Sequence, residues 1–210
     1  MVPLGVPIRT VVGLSLALTG KELNVIDFGG ACGNHYYITK ALFGERIAMK
    51  WHVVETPRMS KAAKNLEDGQ IRFFDNFDEA KSELNRIDLV FSSGVLQYVP
   101  EPYETLRKLT ECGAKNIFIT RTPLTTGDKE LIIIQTSTLS INGPGPLPEG
   151  IRDAVVRFPA SFVRKDKFEE ILSKNYSIQI QFNEDKKTYL AGRTLIDVYG
   201  YFGRLKTNFT

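Results

Sequence analysis

Short apolar runs alternate with amphipathic segments over the first 120 residues of the chain. Five of these runs, rich in Val, Ile and Phe, lie at residues 23–28, 51–55, 71–74, 87–93 and 116–120. Such runs are typical of strands buried on both faces, and the segments between them carry helical periodicity. This order predicts an α/β fold with a parallel sheet, helices on both of its faces and right-handed crossovers.

The last 50 residues follow a different order. An amphipathic helical segment at 164–174 precedes two strand-like runs, 176–182 and 194–205, which no helix separates. Two consecutive strands of this kind predict an antiparallel hairpin that closes the sheet. The preceding segment, 122–163, holds one run that could be a strand, 131–139, and a Gly/Pro-rich loop. We expect an irregular insert there, near an acceptor site.

Composition limits the class of protein. The 210 residues, 42% of them hydrophobic and 24% charged, predict one domain over 1–210, with residues 1–20 as an N-terminal helix packed on it. The 27 basic and 24 acidic residues form no long basic run, which does not favour a nucleic-acid partner. Cys32 and Cys112 lack the spacing of a zinc site and indicate reduced thiols in a cytoplasmic protein. No apolar stretch approaches the ~20 residues of a membrane helix.

The first strand runs into a glycine-rich turn, "DFGGACGNHYY". In a parallel sheet, ligands bind beyond the carboxyl ends of the strands. The dinucleotide pattern G-x-G-x-x-G fails here, because only its first glycine, Gly29, is present. Instead Asp27, Gly29, Ala31 and Gly33 stand at every second position, a spacing that suits S-adenosylmethionine. We expect Asp27 beside the ammonium of that ligand and the bare backbone including Gly30 along its chain. An alanine at position 31 is tolerable if its φ is negative.

Side chains after the later strands complete this predicted site. Glu55, 22 residues beyond Gly33, ends the second run, where an acid can accept hydrogen bonds from both hydroxyls of a ribose. Residues at or after the ends of the second, third and fourth runs join it. Thr56 follows Glu55, Asp75 and Phe77 are expected near the adenine, and Ser93 and Gly94 near the methionine end. A tight glycine turn without any ligand is the alternative.

These motifs together resemble the class I S-adenosylmethionine-dependent methyltransferases. More narrowly, "DFGGACGNHYY", "WHVVETPRM", "SSGVLQYVPEPY" and "RTPL" resemble a family of methyltransferases often encoded among surface-polysaccharide genes. The resemblance implies a single-domain Rossmann-like sandwich with a mostly parallel seven-stranded sheet. It also implies S-adenosylmethionine as cofactor, S-adenosylhomocysteine as product, and a small-molecule or saccharide acceptor, with oxygen favoured as the methylated atom. Ala31 departs from the family, whose motif has a glycine there.

No residue of the sequence stands out as catalytic. His35 follows the glycine turn in the first turn of a helix, where it faces the pocket, caps the helix or lies exposed. Tyr98 lines the cleft or packs near a strand end. Arg121, at the end of the fifth strand before a proline, either binds an anionic acceptor or pairs with one of the two site acids. His52, inside the second strand, is expected to be structural.

Several functions remain to be compared with methyl transfer. A methyltransferase of nucleobase amino groups would carry Asn or Asp followed by Pro-Pro and an aromatic after the fourth strand, where this chain has "SSGVLQY". A cytosine C5 enzyme would need a cysteine next to a proline, which neither cysteine has. Two other classes stay open: a non-catalytic binding module of the same fold, and an NAD-linked oxidoreductase, which the incomplete G-x-G-x-x-G disfavours.

Overall fold

The computed structural model of the chain describes residues 13–15, 17–18, 20–142, 147, 149–184 and 188–207, apart from the side chains of residues 45 and 142. Of the predicted N-terminal helix, residues 13–15 and 17 are helical, and most other positions lie outside the described residues. The strands are β1 (Glu22–Phe28), β2 (Ala48–Val54), β3 (Ile71–Phe74), β4 (Leu89–Ser93), β5 (Asn116–Thr125), β6 (Leu131–Thr138), β7 (Val155–Arg164), β8 (Tyr176–Asn183), β9 (Tyr189–Ala191) and β10 (Thr194–Leu205). The helices are α1 (Asn34–Phe43), α2 (Pro57–Ala63), α3 (Phe77–Ser82), α4 (Pro102–Thr110), α5 (Leu139–Asn142) and α6 (Lys165–Asn175).

The central sheet has the strand order β3-β2-β1-β4-β5-β10-β8. Strands β1 to β5 are parallel to one another, whereas β10 is antiparallel to both of its neighbours in this path, β5 and β8. The predicted parallel sheet with an antiparallel closing pair is therefore confirmed. Strands β6, β7 and β9 lie off this path and bring the sheet to ten strands, so the predicted number of seven describes only the central path. Strand order reverses between β1 and β4, where ligands bind in open α/β sheets.

Helices cover both faces of the sheet, as the alternation predicts. Neighbouring residues of β1 point to opposite faces. Val25 belongs to one core cluster with Trp51 of β2 and Tyr36 of α1. Ile26 belongs to the other, which holds residues of α3, α4 and α6, among them Leu106. The two clusters place both layers of helix against β1, the strand that leads into the glycine turn.

The segment 122–163 is not an irregular insert. β5 continues to Thr125, through Pro123, and β6 and β7 then pair as an antiparallel hairpin whose last residues lie beside the end of β5. β6 alternates between the two faces, with Ile133 packed inward and Ile132 77% exposed. This period of two marks a half-exposed strand. Residues 143–146 and 148 of the Gly/Pro-rich loop lie outside the described residues, and the organisation of 1–210 as one domain stays a prediction.

A bulge interrupts β5 at Arg121. Tyr199 of β10 pairs with Thr122, and Tyr201 pairs with Ile119, so that the residue between the two tyrosines faces two residues of β5. Arg121 has a φ of 55°, in the left-handed region that side chains other than glycine rarely occupy. A bulge of this kind redirects a side chain within a strand. The sequence predicted Arg121 at the end of the fifth strand, but the residue lies inside β5. Among the described residues, no helix is long and apolar enough to cross a membrane.

Candidate functional site

Asp27 lies beneath the glycine turn and is wholly buried. Its Oδ2 accepts a hydrogen bond from Nε1 of Trp51 at 3.2 Å and lies 3.0 Å from Nδ1 of His35. A Cβ atom on Gly30 would lie 2.4 Å from the same oxygen, so only glycine lets the turn close over the carboxylate. Asp27 thus supports the turn through Oδ2, while its Oδ1 is buried without a hydrogen-bond partner among the described residues. The expected contact of Asp27 with the ammonium of the ligand stays a prediction.

His35 shares that buried position. His35 lies in the first turn of α1, and its ring packs edge-on against the ring of Phe91 at a centroid distance of 4.5 Å. Its Nδ1 is engaged with Asp27. His35 therefore holds the turn and the start of α1 together, which is not the place of a base that faces a cleft.

The helix after the turn is fixed to the loop before β3. The hydroxyl of Tyr36 donates to Oδ2 of Asp68 at 2.9 Å, and Nζ of Lys40 contacts the same oxygen at 3.0 Å. Burial raises the pKa of Asp68, but hydrogen bonds from the backbone of Ile71 and Gln70 and from Lys40 outweigh it and lower that pKa to about 2. A charged Asp68 therefore anchors α1, and with it the turn.

Glu55 contacts the turn from the end of β2. Its Oε1 accepts the backbone N–H of Ala31 at 3.0 Å, and its Oε2 accepts the N–H of Thr56 at 2.9 Å. Ala31 has a φ of 51°, so the negative φ that would make an alanine tolerable at this position is not found. The left-handed conformation is the one in which this N–H meets Glu55. A carboxylate offers about four lone-pair sites, so each oxygen keeps one for a further donor.

A cleft of about 390 Å³ opens at the carboxyl ends of β1, β2 and β3, and we call it the strand-end cleft. Its volume falls within the range of small-molecule sites. Five predicted site residues line it, together with an apolar wall of Phe28, Val95 and Val99: Gly29, Glu55, Thr56, Asp75 and Phe77. Polar residues follow β2 and β3, and Thr105 and Lys108 of α4 add polar groups to the lining.

Gly33 lies directly before α1, and two further predicted site residues, Ser93 and Gly94, lie at the end of β4. The Ser93 hydroxyl oxygen accepts from Oγ1 of Thr120 at 2.9 Å, and Gly94 donates its N–H to the Thr120 carbonyl at the same distance. A Cβ atom on Gly94 would lie 3.2 Å from Cζ of Arg121. The guanidinium of Arg121 therefore lies against Gly94. Asp27 contacts His35 and Trp51, and Glu55 contacts the backbone, so the described ion pairs do not join Arg121 to either acid.

A second cleft, of about 510 Å³, lies between the β6–β7 hairpin and the ends of β5, β9 and β10, and we call it the hairpin cleft. Arg121 and Gln135 line it, and the hydroxyl of Tyr98 donates to Oε1 of Gln135 at 2.9 Å. Tyr98 thus ties the chain after β4 to the hairpin. Sequence reasoning missed Gln97 and Glu184, which also line this cleft. Gln97 stood within the motif "SSGVLQY", but Glu184 becomes visible only once β8 is placed beside β10.

Comparisons with known proteins identify the fold. No protein-family model and no curated protein matches the chain. Solved structures do match. The CcbJ methyltransferase from Streptomyces caelestis is 11% identical, with a TM-score of 0.57 over 96% of this chain and 97% of that one. The glycopeptide N-methyltransferase MtfA, complexed with S-adenosyl-L-homocysteine, is 13% identical, with a TM-score of 0.54 over 94% of this chain and 87% of that one.

A third solved structure has the same fold but is named as a cyclase and not as a methyltransferase. The [4+2]-cyclase SpnF is 9% identical, with a TM-score of 0.60 over 96% of this chain and 82% of that one. Among the described residues, no group of three or more His, Cys, Asp or Glu side chains could hold a metal ion. At these identities the likeness concerns the fold alone. The chain therefore has the Rossmann-like α/β fold that these methyltransferases and the cyclase share.

Proposed function

We propose that the chain is an S-adenosylmethionine-dependent methyltransferase with a small-molecule acceptor. The observation that carries the proposal is the carboxylate of Glu55, which two backbone N–H groups fix at the strand-end cleft with lone pairs to spare. The cleft lies where the strand order reverses, the usual ligand site of this architecture. The complex of MtfA with S-adenosyl-L-homocysteine adds support, because that protein has the same fold.

The residues of the strand-end cleft suit an adenosyl ligand. The two oxygens of Glu55 can each accept one ribose hydroxyl, and Asp75 can accept the adenine amino group. Phe77 offers an aromatic wall for the base. The turn from Gly29 to Gly33 and Gly94 offer bare backbone to the methionine part. Asp27 supports this turn through Oδ2, and we expect its contact with the ammonium of that part.

An NAD-linked oxidoreductase receives less support. A dinucleotide site needs the backbone N–H groups of the turn for a pyrophosphate. Here the N–H of Ala31 is given to Glu55. A non-catalytic module with the same cleft is the second candidate. The cyclase SpnF shares the fold without being named a methyltransferase, so the fold by itself does not fix the reaction.

S-adenosylmethionine, when bound, would supply a methyl group on a sulfonium. The lone pair of the acceptor hydroxyl would form the new bond to that carbon, the sulfur would keep the old bonding pair as S-adenosylhomocysteine, and the hydroxyl proton would pass to water. The chain contributes mainly by holding the acceptor in line, which accounts for much of the acceleration in such displacements. We favour a small molecule or saccharide methylated at oxygen, held on the side of 122–163. Arg121 and Tyr98 are the acceptor-side candidates, and His35 serves the turn.

Binding measurements test the cofactor. We expect S-adenosylhomocysteine and S-adenosylmethionine to raise the melting temperature of the whole chain, and NAD to leave it unchanged. Glu55→Gln should weaken S-adenosylhomocysteine binding about tenfold or more, because a charge-assisted hydrogen bond contributes about 1.5–3 kcal/mol. Glu101→Gln, at the exposed start of α4, makes the same chemical change outside the cleft and should bind normally. The proposal is wrong if neither adenosyl ligand raises the melting temperature.

A further inference from the structure

We propose that the hairpin cleft binds the methyl acceptor and that this acceptor is an amphipathic hydroxy acid, with its carboxylate on Arg121, its hydroxyl near Gln97 and its apolar body against the β6–β7 hairpin. The inference rests on the proposed function. It goes beyond it by naming the chemical class of the acceptor, and it favours an apolar-bodied acid over a saccharide.

The two clefts share one wall, the segment 94–97. Val95 lines the strand-end cleft, and its side chain packs on Gly29, where an added Cβ would lie 2.2 Å from Cγ2 of Val95. Gln97, two residues later, lines the hairpin cleft. The two clefts therefore meet at this short segment, at the end where the methionine part of the cofactor is proposed to lie, and the methyl group and the acceptor hydroxyl come together beside it. Methyl transfer needs such a direct approach of the two reactants.

Arg121 supplies the charge in this cleft. Within the described part of the chain, no hydrogen bond or ion pair involves its guanidinium, which lies against Gly94. Its φ of 55° strains the backbone, and such strain is concentrated at functional sites. The bulge in β5 is the device that turns this side chain away from the strand pattern. A planar guanidinium with free donors recognises a carboxylate by two parallel hydrogen bonds.

Gln97 provides an independent sign of a ligand. Its side chain lines the hairpin cleft, yet the residue is only 9% exposed, and its Oε1 is buried without a hydrogen-bond partner among the described residues. A buried acceptor left without a donor destabilises the protein, because it has lost its hydrogen bonds to water. A hydroxyl of the acceptor would supply the missing donor.

The rest of the hairpin cleft is apolar. The side chains come from four strands, β6, β7, β9 and β10: Ile133, Phe162, Leu190, Ile196 and Val198. Glu184 accepts the backbone N–H of Arg121, so the carboxylate and the cation stand together at one end. Gln135 is engaged by Tyr98. A saccharide presents hydroxyl groups all around its ring and would leave many of them unpaired against this wall, whereas an aliphatic or aromatic body fits it.

Binding of three probes to the whole chain tests the inference, by calorimetry in the presence of S-adenosylhomocysteine. The probes are 3-hydroxydecanoate, its methyl ester and methyl glucoside. We expect the acid to bind, the ester to bind at least about tenfold more weakly because it cannot pair with Arg121, and the glucoside not to bind. Equal affinity for acid and ester, or a preference for the glucoside, overturns the proposal without any variant.

Substitutions locate the probe. Arg121→Gln should abolish the preference for the acid over the ester, and Gln97→Leu should weaken both in equal measure. Arg157→Gln removes a cation from the exposed, opposite face of the hairpin and should leave the preference intact. If Arg121→Gln does not fold, Gln97→Leu still decides, because unchanged affinity in that variant contradicts the site.

The same samples separate the two proposals. Binding of S-adenosylhomocysteine without binding of 3-hydroxydecanoate overturns the acceptor class and leaves the proposed function standing. Absence of S-adenosylhomocysteine binding overturns the proposed function, and the acceptor site with it.

Discussion

Gly29 occupies the position where β1 leaves the sheet and the strand-end cleft begins. Its φ is 74°, and the Val95 methyl groups fill the space where a side chain would start. Gly29→Ala should therefore lower the free energy of unfolding by about 1–3 kcal/mol, through backbone strain and the displacement of Val95. Because Val95 lines the cleft, affinity for S-adenosylhomocysteine should fall too.

Gly69→Ala is the matched control for this change. A Cβ atom there meets nothing within 4 Å, and its backbone is not in the left-handed region. Urea denaturation should show a change within about 0.5 kcal/mol for this variant. Similar losses in the two variants would mean that neither the φ nor the contact with Val95 matters.

His52 makes stability depend on pH. Its Nδ1 lies 2.8 Å from the carbonyl oxygen of Ala80, which can only accept, so this nitrogen carries the proton in the neutral ring. Burial lowers the pKa of His52 and outweighs the hydrogen bond to Ala80, which raises it. Since the folded protein resists protonation of this ring, its contribution is present above about pH 6.5 and is lost as the pH falls further.

The variant His52→Gln removes that titration and keeps a donor for Ala80. Between pH 7 and pH 5 the wild type should lose more unfolding free energy than the variant does, at most about 1.4 kcal/mol per pH unit for one proton. Urea denaturation at several pH values measures the difference. Parallel curves for the two proteins would assign the pH dependence to other groups.

At the scale of residues, the sequence predicts which side chains gather but not how the backbone presents them. Glu55 was found from its distance to the glycine turn and lies at the cleft. The φ of Ala31 was missed because Glu55, the acceptor of its N–H, lies 24 residues away. Asp27 was identified as a site residue, but its contacts with Trp51 and His35 were missed, because those two residues come from other elements.

At the scale of elements, α3 carries Phe77 into the strand-end cleft and depends on its cap. Oδ1 of Asn76 accepts the backbone N–H of Asp78 at 2.8 Å and of Glu79 at 3.2 Å. Asn76→Ala leaves these donors without the cap and should cost about 1 kcal/mol of unfolding free energy. Asn76→Asp keeps an acceptor and should cost little. Thermal and urea denaturation of both variants test the cap, and equal stability of Ala and Asp would contradict it.

The hairpin shows where prediction of elements from the sequence fails. The run "LIIIQTST" is apolar at four successive positions, so its period of two is hidden, and only the exposure of Ile132 and Ile134 beside a buried side reveals it. Its partner β7 comes after the Gly/Pro-rich loop. β5 extends through Pro123 because it pairs with β10. In this pairing Pro123 lies opposite Val198, which comes 75 residues later in the chain. Such pairings are set by the tertiary structure and not by local propensity.

At the scale of the whole molecule, the order of elements is the part that the sequence predicts best. The repeated passage from buried strand to amphipathic helix leaves few topologies open once crossovers are right-handed and short. The order of elements also places different groups at the two ends of the sheet. The clefts lie at the carboxyl ends of the strands, whereas Asp88, just before β4, lies at the opposite end.

Asp88 ties together three strands far from the clefts. Its Oδ2 accepts the N–H of Asn24 at 3.0 Å, Nζ of Lys115 lies 3.0 Å from its Oδ1, and Nε of Arg86 contacts both oxygens at 3.2 Å. The carboxylate is buried, while both cations are about half-exposed. Burial raises the pKa of Asp88, but the hydrogen bonds from Asn24, Lys115 and Arg86 prevail and lower it.

Asp88→Ala should therefore reduce stability without affecting binding. The N–H of Asn24 loses its acceptor, at a cost of about 1–3 kcal/mol, whereas the two cations keep their water. This cost should be full above about pH 4 and shrink as the pH falls further, because the wild-type carboxylate then becomes protonated. Asp128→Ala, at an exposed turn, should change stability by less than about 0.5 kcal/mol. Calorimetry on the folded variants should give equal affinity for S-adenosylhomocysteine, and weaker binding by Asp88→Ala would show that the two ends of the sheet are coupled.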